Sequence, residues 1–243
     1  MPYIKQFLDQ RKSCLSYYVC CPGKATAAVI DPSDDVKQYL EQARSDYSDI
    51  IAVIDTHIHA DHISGARDLS KASGAEVYMH ENSKVNFDFH PMKEGDSVGI
   101  GNVDLKAMFT PGHTKESMCL LYVDHKRAES PWGIFSGDTL FVGDAGRLDL
   151  IDAGTKEEMY DSLFKKILSL EDYLELYPAH YVGSLCGLGM SLKTTSTIGF
   201  ERRFNPALAA KSLEEFEKYL AENRPEAMTE HARIKKINSG LPD

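Results

Sequence analysis

The stretch Thr56-His57-Ile58-His59-Ala60-Asp61-His62 decides the reading of this chain, because it packs four metal-binding side chains into a few consecutive positions. It follows Ile50-Ile51-Ala52-Val53-Ile54-Asp55, an apolar run closed by a carboxylate that reads as a buried strand. His57, His59, Asp61 and His62 therefore fall at the mouth of a strand, on the turn into the next helix. Alternation along an extended chain sends His57, His59 and Asp61 to one side, and a bend brings His62 alongside them. A single histidine on a surface loop is ordinarily just solvated. Ligands at this density, directly after a core strand, point to a metal.

The same pattern recurs further on. Thr110-Pro111-Gly112-His113-Thr114 follows the apolar run from Val103 to Phe109 and puts a histidine on a tight Pro-Gly turn. Phe135-Ser136-Gly137-Asp138-Thr139 follows Trp132-Gly133-Ile134 and places a carboxylate at a strand end, and Tyr177-Pro178-Ala179-His180 does the same after Tyr173 to Leu176. Strand ends thus deliver His57, His59, Asp61, His62, His113, Asp138 and His180. Imidazole and carboxylate suit first-row divalent metals such as zinc, iron and manganese, and no cysteine falls in these motifs to demand a thiolate site.

Periodicity around them is α/β. Ala25 to Ile30 reads as a strand, and Ser33 as the N-cap of a helix that carries Val36, Tyr39, Leu40 and Ala43 at helical spacing. Strands follow near Ile50–Ile54, Val77–Met79, Val103–Phe109, Met118–Val123 and Ile134–Phe135. One long helix runs through Met159, Leu163, Ile167 and Leu168, and another from Leu213 to Leu220. With no linker, repeat or low-complexity tract, residues 1–243 read as one domain. No apolar run reaches membrane-spanning length, and the N-terminus lacks a secretion signal. Cys14, Cys20, Cys21, Cys119 and Cys186 are odd in number and lack zinc-ribbon spacing, which fits a reducing, cytoplasmic setting. A net charge of −10 argues against nucleic acid as a partner but not against a small anion met by local arginines. His80, His90, His125 and His231 lie outside the strand-end pattern and read as structural or solvated; Met108, Met118 and Met190 read as core.

The His-x-His-x-Asp-His cluster, with the later His113, Asp138 and His180, resembles the metallo-β-lactamase superfamily over nearly the whole chain. That resemblance implies an α/β fold of the αββα sandwich type. It also implies one metal site at His57, His59 and His113 and a second at Asp61, His62 and His180, joined by Asp138. The superfamily includes hydrolases, oxygen reductases and dioxygenases, so fold alone does not set the reaction.

Two of its groups compete: the glyoxalase II group, hydrolysing glutathione thioesters at two metals, and the persulfide dioxygenases, oxidising a thiol persulfide at one ferrous iron. The sequence Gly146-Arg147-Leu148-Asp149, the segment Gly183-Ser184-Leu185-Cys186-Gly187 and the stretch from Ser196 to Pro206 resemble bacterial persulfide dioxygenases, including those fused to rhodanese domains. The stretch beyond Pro206 is too short for the helical substrate domain of glyoxalase II or for a rhodanese, so a sulfurtransferase partner would be a separate chain. The resemblance implies one Fe2+ held by His57, His113 and Asp138, a 2-His-1-carboxylate set that leaves metal positions open for the persulfide sulfur and dioxygen. Sulfite and the free thiol would be the products. His59, Asp61, His62 and His180 then support and orient the ligands. The glyoxalase II alternative instead implies Zn2+ or iron in a dinuclear site.

Arg147 and Asp149 match family positions that contact glutathione, an arginine fork suiting a carboxylate; a salt bridge tying down its own loop is the other reading of Arg147. Arg202, with Arg203, would hold an anionic tail or be plain surface. Cys186 would meet the substrate sulfur or be a small buried hydrophobe. Tyr181 is offset by one residue from the family tyrosine. A homodimer is compatible with this class, without a sequence pattern that carries it.

Overall fold

The computed structural model describes residues 1–223 and 229–241, so positions 224–228 and 242–243 of the single unit read from sequence lie outside the described residues. Strand β1 (Tyr3–Asp9) turns back onto β2 (Cys14–Cys21), which pairs with β3 (Thr26–Ile30). From there the chain alternates: α1 (Lys37–Ser45), β4 (Asp49–Ile54), α2 (Ala66–Ser73) and β5 (Glu76–His80), with a short β6 (His90–Met92) closing the edge. The six strands lie in sequence order, antiparallel from β1 to β3 and parallel from β3 to β6.

A second sheet is built from β7 (Ser97–Ile100), β8 (Val103–Phe109), β9 (Met118–Asp124) and β10 (Gly133–Gly137) as an antiparallel meander. After α3 (Lys156–Tyr160), β11 (Glu175–Pro178) joins β10 in parallel, and β12 (Ser196–Thr197) pairs with β11. Helices α4 (Ile198–Phe204), α5 (Leu213–Glu222) and α6 (His231–Asn238) follow.

Side-chain alternation explains the layering. On β2, Leu15, Tyr17 and Val19 face the second sheet, where they meet Leu105, Leu120 and Phe135. Tyr18 and Cys20 face outward with Val29 and Val53, against Tyr39 and Ala43 of α1 and Leu69 of α2. On the other side, Met108, Cys119, Ile134 and Leu176 carry the layer formed by Met159, Leu163, Ile198 and Phe216. Each buried Val, Leu, Ile, Phe or Met among these contributes about 1.5–3 kcal/mol by leaving water. Helix, sheet, sheet, helix: this is the αββα sandwich.

Two local expectations are corrected. Helix α1 starts at Lys37, and Ser33 does not cap it; Ser33 instead takes a hydrogen bond from Gln38 and gives its N–H to the Tyr39 hydroxyl. The expected continuous helix through Met159 and Leu168 is interrupted. After α3, whose Thr155 and Glu158 form a reciprocal cap, one wide π turn (Asp161–Lys166) and a 3₁₀ turn (Ile167–Ser169) carry the chain on. The wide turn lets Ser162 donate to the Pro111 carbonyl at 2.7 Å and Lys166 to the Phe109 carbonyl at 2.6 Å, so the segment grips the loop leading to His113.

Candidate metal centre

Every residue of the expected metal cluster lies just past the end of a strand: Asp55 to His62 after β4, His113 after β8, Asp138 after β10 and His180 after β11. Close approach of backbone closes the cluster. At Gly112 an added Cβ would stand 2.4 Å from the Met159 sulfur, and at Gly146 it would stand 1.9 Å from the Asp138 carbonyl oxygen. Bulkier residues at either place would push the His113 or Asp138 loop outward.

His57, His113 and Asp138 form one fully buried set, with mutual ligand-atom distances inside 4.8 Å. Asp138 Oδ2 lies 3.4 Å from His113 Nε2 and 3.8 Å from His57 Nε2. The tautomers follow from the outer partners. His113 Nδ1 donates to the Arg147 carbonyl at 3.1 Å. Thr56 gives its hydroxyl proton to Asp31, so its oxygen accepts from His57 Nδ1 at 3.0 Å. Both Nε2 atoms therefore present lone pairs to a carboxylate oxygen. His57 Nε2 and Asp138 Oδ2 are buried without a hydrogen-bond partner among the described residues. Converging lone pairs with no proton between them repel, and a divalent cation satisfies all three. The residues fit a metal. Burial holds His57 well below the usual imidazole range and lowers His113 as well. Burial alone would raise Asp138, but His180, His57 and His113 outweigh it and hold its carboxyl below the ordinary range.

A second set contains Asp61, His62 and His180, together with Cys14. His180 Nε2 lies 2.8 Å from Asp61 Oδ2, and its Nδ1 lies 2.6 Å from Asp138 Oδ1, which links the two sets. Against the cost of burial, Asp138 and Asp61 raise the His180 pKa well above the usual value. His62 Nδ1 sits 3.1 Å from Asp61. The Cys14 sulfur is 3.3 Å from His180 Nε2 and 3.4 Å from His62 Nδ1. A thiol thus enters the cluster from β2, outside the strand-end motifs. It arrives because Leu15 donates to the Ala179 carbonyl, which pins the start of β2 beside His180.

His59 departs from simple alternation. It groups with Asp31 and Asp55, its Nε2 donating to Asp31 at 3.2 Å. The loop from Asp55 to His62 is not extended, so the alternation that would place His57, His59 and Asp61 on one side does not hold; they enter three neighbouring sets. Their rings remain in contact, with centroids 4.2 Å apart for His57 and His59 and 4.5 Å for His59 and His62. Asp31 also accepts the Thr56 N–H at 2.8 Å and holds an unusual φ of +49°. Burial pushes Asp55 up to about 6.

Sequence reasoning missed Cys14, Asp31, Asp55 and Asn238. For the two aspartates a signal was present: Ala28-Val29-Ile30-Asp31 and Ala52-Val53-Ile54-Asp55 are the same tetrapeptide on neighbouring parallel strands, in register at Ile30 and Ile54. Asn238, from α6, donates to the carbonyls of His59 at 2.9 Å and His62 at 2.8 Å, and no local pattern announces it.

Arg147 is buried. Its guanidinium reaches Asp149 at 2.6 and 2.8 Å and the Leu185 carbonyl at 2.7 Å, which is the loop-tying salt bridge of its second reading. Arg147 and Asp149 nonetheless line a cavity of about 220 Å³ that Cys186 and Tyr219 also border. Cys186 is buried against Phe141 and Met190, and its sulfur groups with Asp138 and His180. Arg202 joins none of these sets: it pairs with Asp172 and donates to the carbonyls of Leu168 and Leu170. Tyr181 packs at the edge of the inter-sheet core. His80 stacks on Phe109 with centroids 4.0 Å apart, while His90 and His125 are surface residues held by acidic neighbours.

Fold and site together define a metal-dependent enzyme of the αββα sandwich type, and the chain belongs to the metallo-β-lactamase superfamily, whose family model matches residues 10–220. It is 32% identical over 222 residues to the mitochondrial persulfide dioxygenase ETHE1 of Bos taurus, covering 90% of this chain and 81% of that one. A crystal structure of ETHE1 from Myxococcus xanthus superposes with a TM-score of 0.84 at 29% identity, over 98% of this chain and 99% of that one. A protein of Schizosaccharomyces pombe named as a probable hydroxyacylglutathione hydrolase is 28% identical over 244 residues, 91% of this chain and 92% of that one. The resemblance to the persulfide dioxygenase group is borne out, with hydrolases among the relatives. Among the described residues, no helix is long and apolar enough to cross a membrane.

Proposed function

We propose that this chain is an iron-dependent persulfide dioxygenase that converts a low-molecular-weight thiol persulfide, glutathione persulfide first, with dioxygen and water into sulfite and the free thiol. The observation that carries the reading is the buried set His57–His113–Asp138, two imidazoles and one carboxylate with no proton between them. This donor set is typical of ferrous oxygenases, and iron held there would supply a redox centre where oxygen meets sulfur.

The chain's own residues prepare that encounter. Thr56 and the Arg147 carbonyl keep the imidazole protons on Nδ1. His180 keeps a proton against Asp138 Oδ1 and so turns Oδ2 toward both histidines. Phe141, Cys186 and Met190 form a buried apolar cluster beside His180. Arg147 and Asp149 set a guanidinium and a carboxylate side by side on the cavity wall, complementary to the carboxylate and ammonium of glutathione. A sulfurtransferase of the rhodanese type would supply the persulfide.

One observation favours a second reading, a hydroxyacylglutathione hydrolase with two metals. His59 Nδ1 and His62 Nε2 are also buried without partners among the described residues, beside the acidic Asp61. Metal analysis of protein purified without air, followed by oxygen-electrode and sulfite assays, separates the two. The dioxygenase holds about one iron per chain, consumes oxygen with glutathione persulfide and cleaves S-lactoylglutathione slowly or not at all. About two zinc ions with oxygen-independent thioester cleavage would replace this reading by the hydrolase.

A further inference from the structure

We propose that a cavity of about 300 Å³ between α6, the segment behind His113 and the turn after β5 is a binding site for a small organic phosphate, distinct from the metal centre and independent of the reaction assigned to it. In a chain of net charge −10, four lysines from three separate segments, Lys84, Lys115, Lys235 and Lys236, line this one cavity. Such convergence is not what a randomly solvated acidic surface produces.

The acidic groups nearby are already engaged. Glu116 is buried and accepts the Ile58 N–H at 3.1 Å. Asp152 stands 3.8 Å from Lys235, whose buried ammonium donates to the Ile151 carbonyl at 3.1 Å. Lys84, Lys115 and Lys236 are exposed and enter no ion pair among the described residues. Three like charges around one opening repel, and an anion between them relieves that repulsion. A compact ammonium on a flexible stem serves phosphate as a point charge.

The rest of the wall argues for an organic body on the phosphate. Ile58, Ile151, Ala232 and Leu241 give the cavity an apolar side. Its volume reaches the lower end of the range for small-molecule sites. A nucleoside monophosphate has both parts, an apolar ring system and a dianion. The backbone is built for the arrangement: Asp152 holds a φ of +62°, rare for a residue with a side chain, which puts the Ile151 carbonyl on Lys235 and the Asp152 carbonyl on the Lys115 N–H. Because Asn238 on the same helix clamps the carbonyls of His59 and His62, a ligand seated here also tightens α6 on the metal loop.

The test is calorimetric titration and thermal unfolding of the metal-loaded protein with adenosine monophosphate, pyrophosphate, citrate and sodium chloride at matched ionic strength. Adenosine monophosphate should bind and raise the melting temperature, citrate and chloride should not, and pyrophosphate should bind more weakly for want of a ring. Lys84→Ala/Lys236→Ala, two exposed positions, should weaken nucleotide binding at least about 10-fold. Ile151→Glu, at a position 53% exposed, should do the same by setting a carboxylate on the apolar wall. Arg147→Ala should leave it unchanged. No binding to the wild type, equal binding of citrate, undiminished binding in both lysine and Ile151 variants, or loss confined to Arg147→Ala would each overturn the proposal.

Discussion

Thr56 shows how much of the site is decided by single atoms that touch no metal. Its hydroxyl stands between Asp31 and His57, and only because it donates to the aspartate does it accept from His57 Nδ1. Thr56→Val keeps the shape and removes that acceptor. Iron affinity should fall about 10–100-fold, read by competition with a chelator, while the fold survives. An unchanged affinity would reduce Thr56 to packing. His113→Ala or Asp138→Ala should abolish stable iron binding, whereas His59→Ala should retain measurable iron, since His59 leans on Asp31. Equal loss in all of these variants would defeat the three-ligand assignment. At Arg147 the structural task is visible and the substrate task is proposed. Its fork ties Asp149 and the Leu185 carbonyl together, so Arg147→Ala should cost stability, about 1.5–3 kcal/mol for lost charged hydrogen bonds. If the guanidinium also meets substrate, KM should rise more than kcat falls. Lost stability with KM untouched would leave only the structural task.

Elements set the metal loop from outside. Helix α6 contributes Asn238, whose amide serves the carbonyls of His59 and His62 and accepts the Ser64 N–H at 3.0 Å. Asn238→Ala strands all three groups. It should cost about 2–3 kcal/mol and, at about 2–4 °C per kcal/mol for a chain of this size, lower the melting temperature by roughly 5–10 °C. A smaller change would mean that water replaces the amide. Strand β5 ends on His80, which burial holds below the usual imidazole range and whose Nδ1 accepts the Asn82 N–H at 3.2 Å. A proton therefore binds His80 more readily in the unfolded chain. Its contribution to stability is present above an ordinary histidine value of about 6.5 and is lost as pH falls from there through the depressed folded value. Comparing melting curves of the wild type and His80→Phe isolates this term from the other histidines, and the wild type should lose ground as the solution is acidified. Parallel curves would show that His80 does not titrate in that window.

Across the whole molecule, one geometric fact organises the site: strands of both sheets run out at the same edge of the sandwich, and the loops beyond β4, β8, β10 and β11 meet there. The scaffold should not depend on which metal is held. Replacing iron by zinc should abolish oxygen uptake, because zinc has no redox chemistry, while circular dichroism and melting behaviour stay close to those of the iron form. Oxygen consumption by the zinc form would remove iron from the proposal. This edge was legible in the sequence because each expected ligand follows an apolar run that reads as a buried strand. Less legible was what lies between such runs. The π turn after α3 keeps Met159, Leu163 and Ile167 on the core face, so periodicity sees one helix, yet Ser162 and Lys166 are spent on the His113 loop.

By itself the sequence determined the α/β alternation, the strand ends and most of the donors, since hydrophobic periodicity and local ligand density are properties of neighbouring residues; the sandwich was what the family resemblance implied. Only the tertiary structure decided how the donors divide. His57 goes with His113 and Asp138, His59 with Asp31 and Asp55, and Asp61 and His62 with His180 and Cys14. The physical reason is that a loop's side chains turn toward whichever hydrogen-bond partners other strands bring within about 3 Å. Cys14 reaches the cluster through a backbone bond to the far side of the sandwich, Asp31 through the register of two parallel strands, and Asn238 through the docking of the last helix. Contacts made across so much chain leave no trace in local spacing, and they choose each tautomer and with it each lone pair offered to a metal.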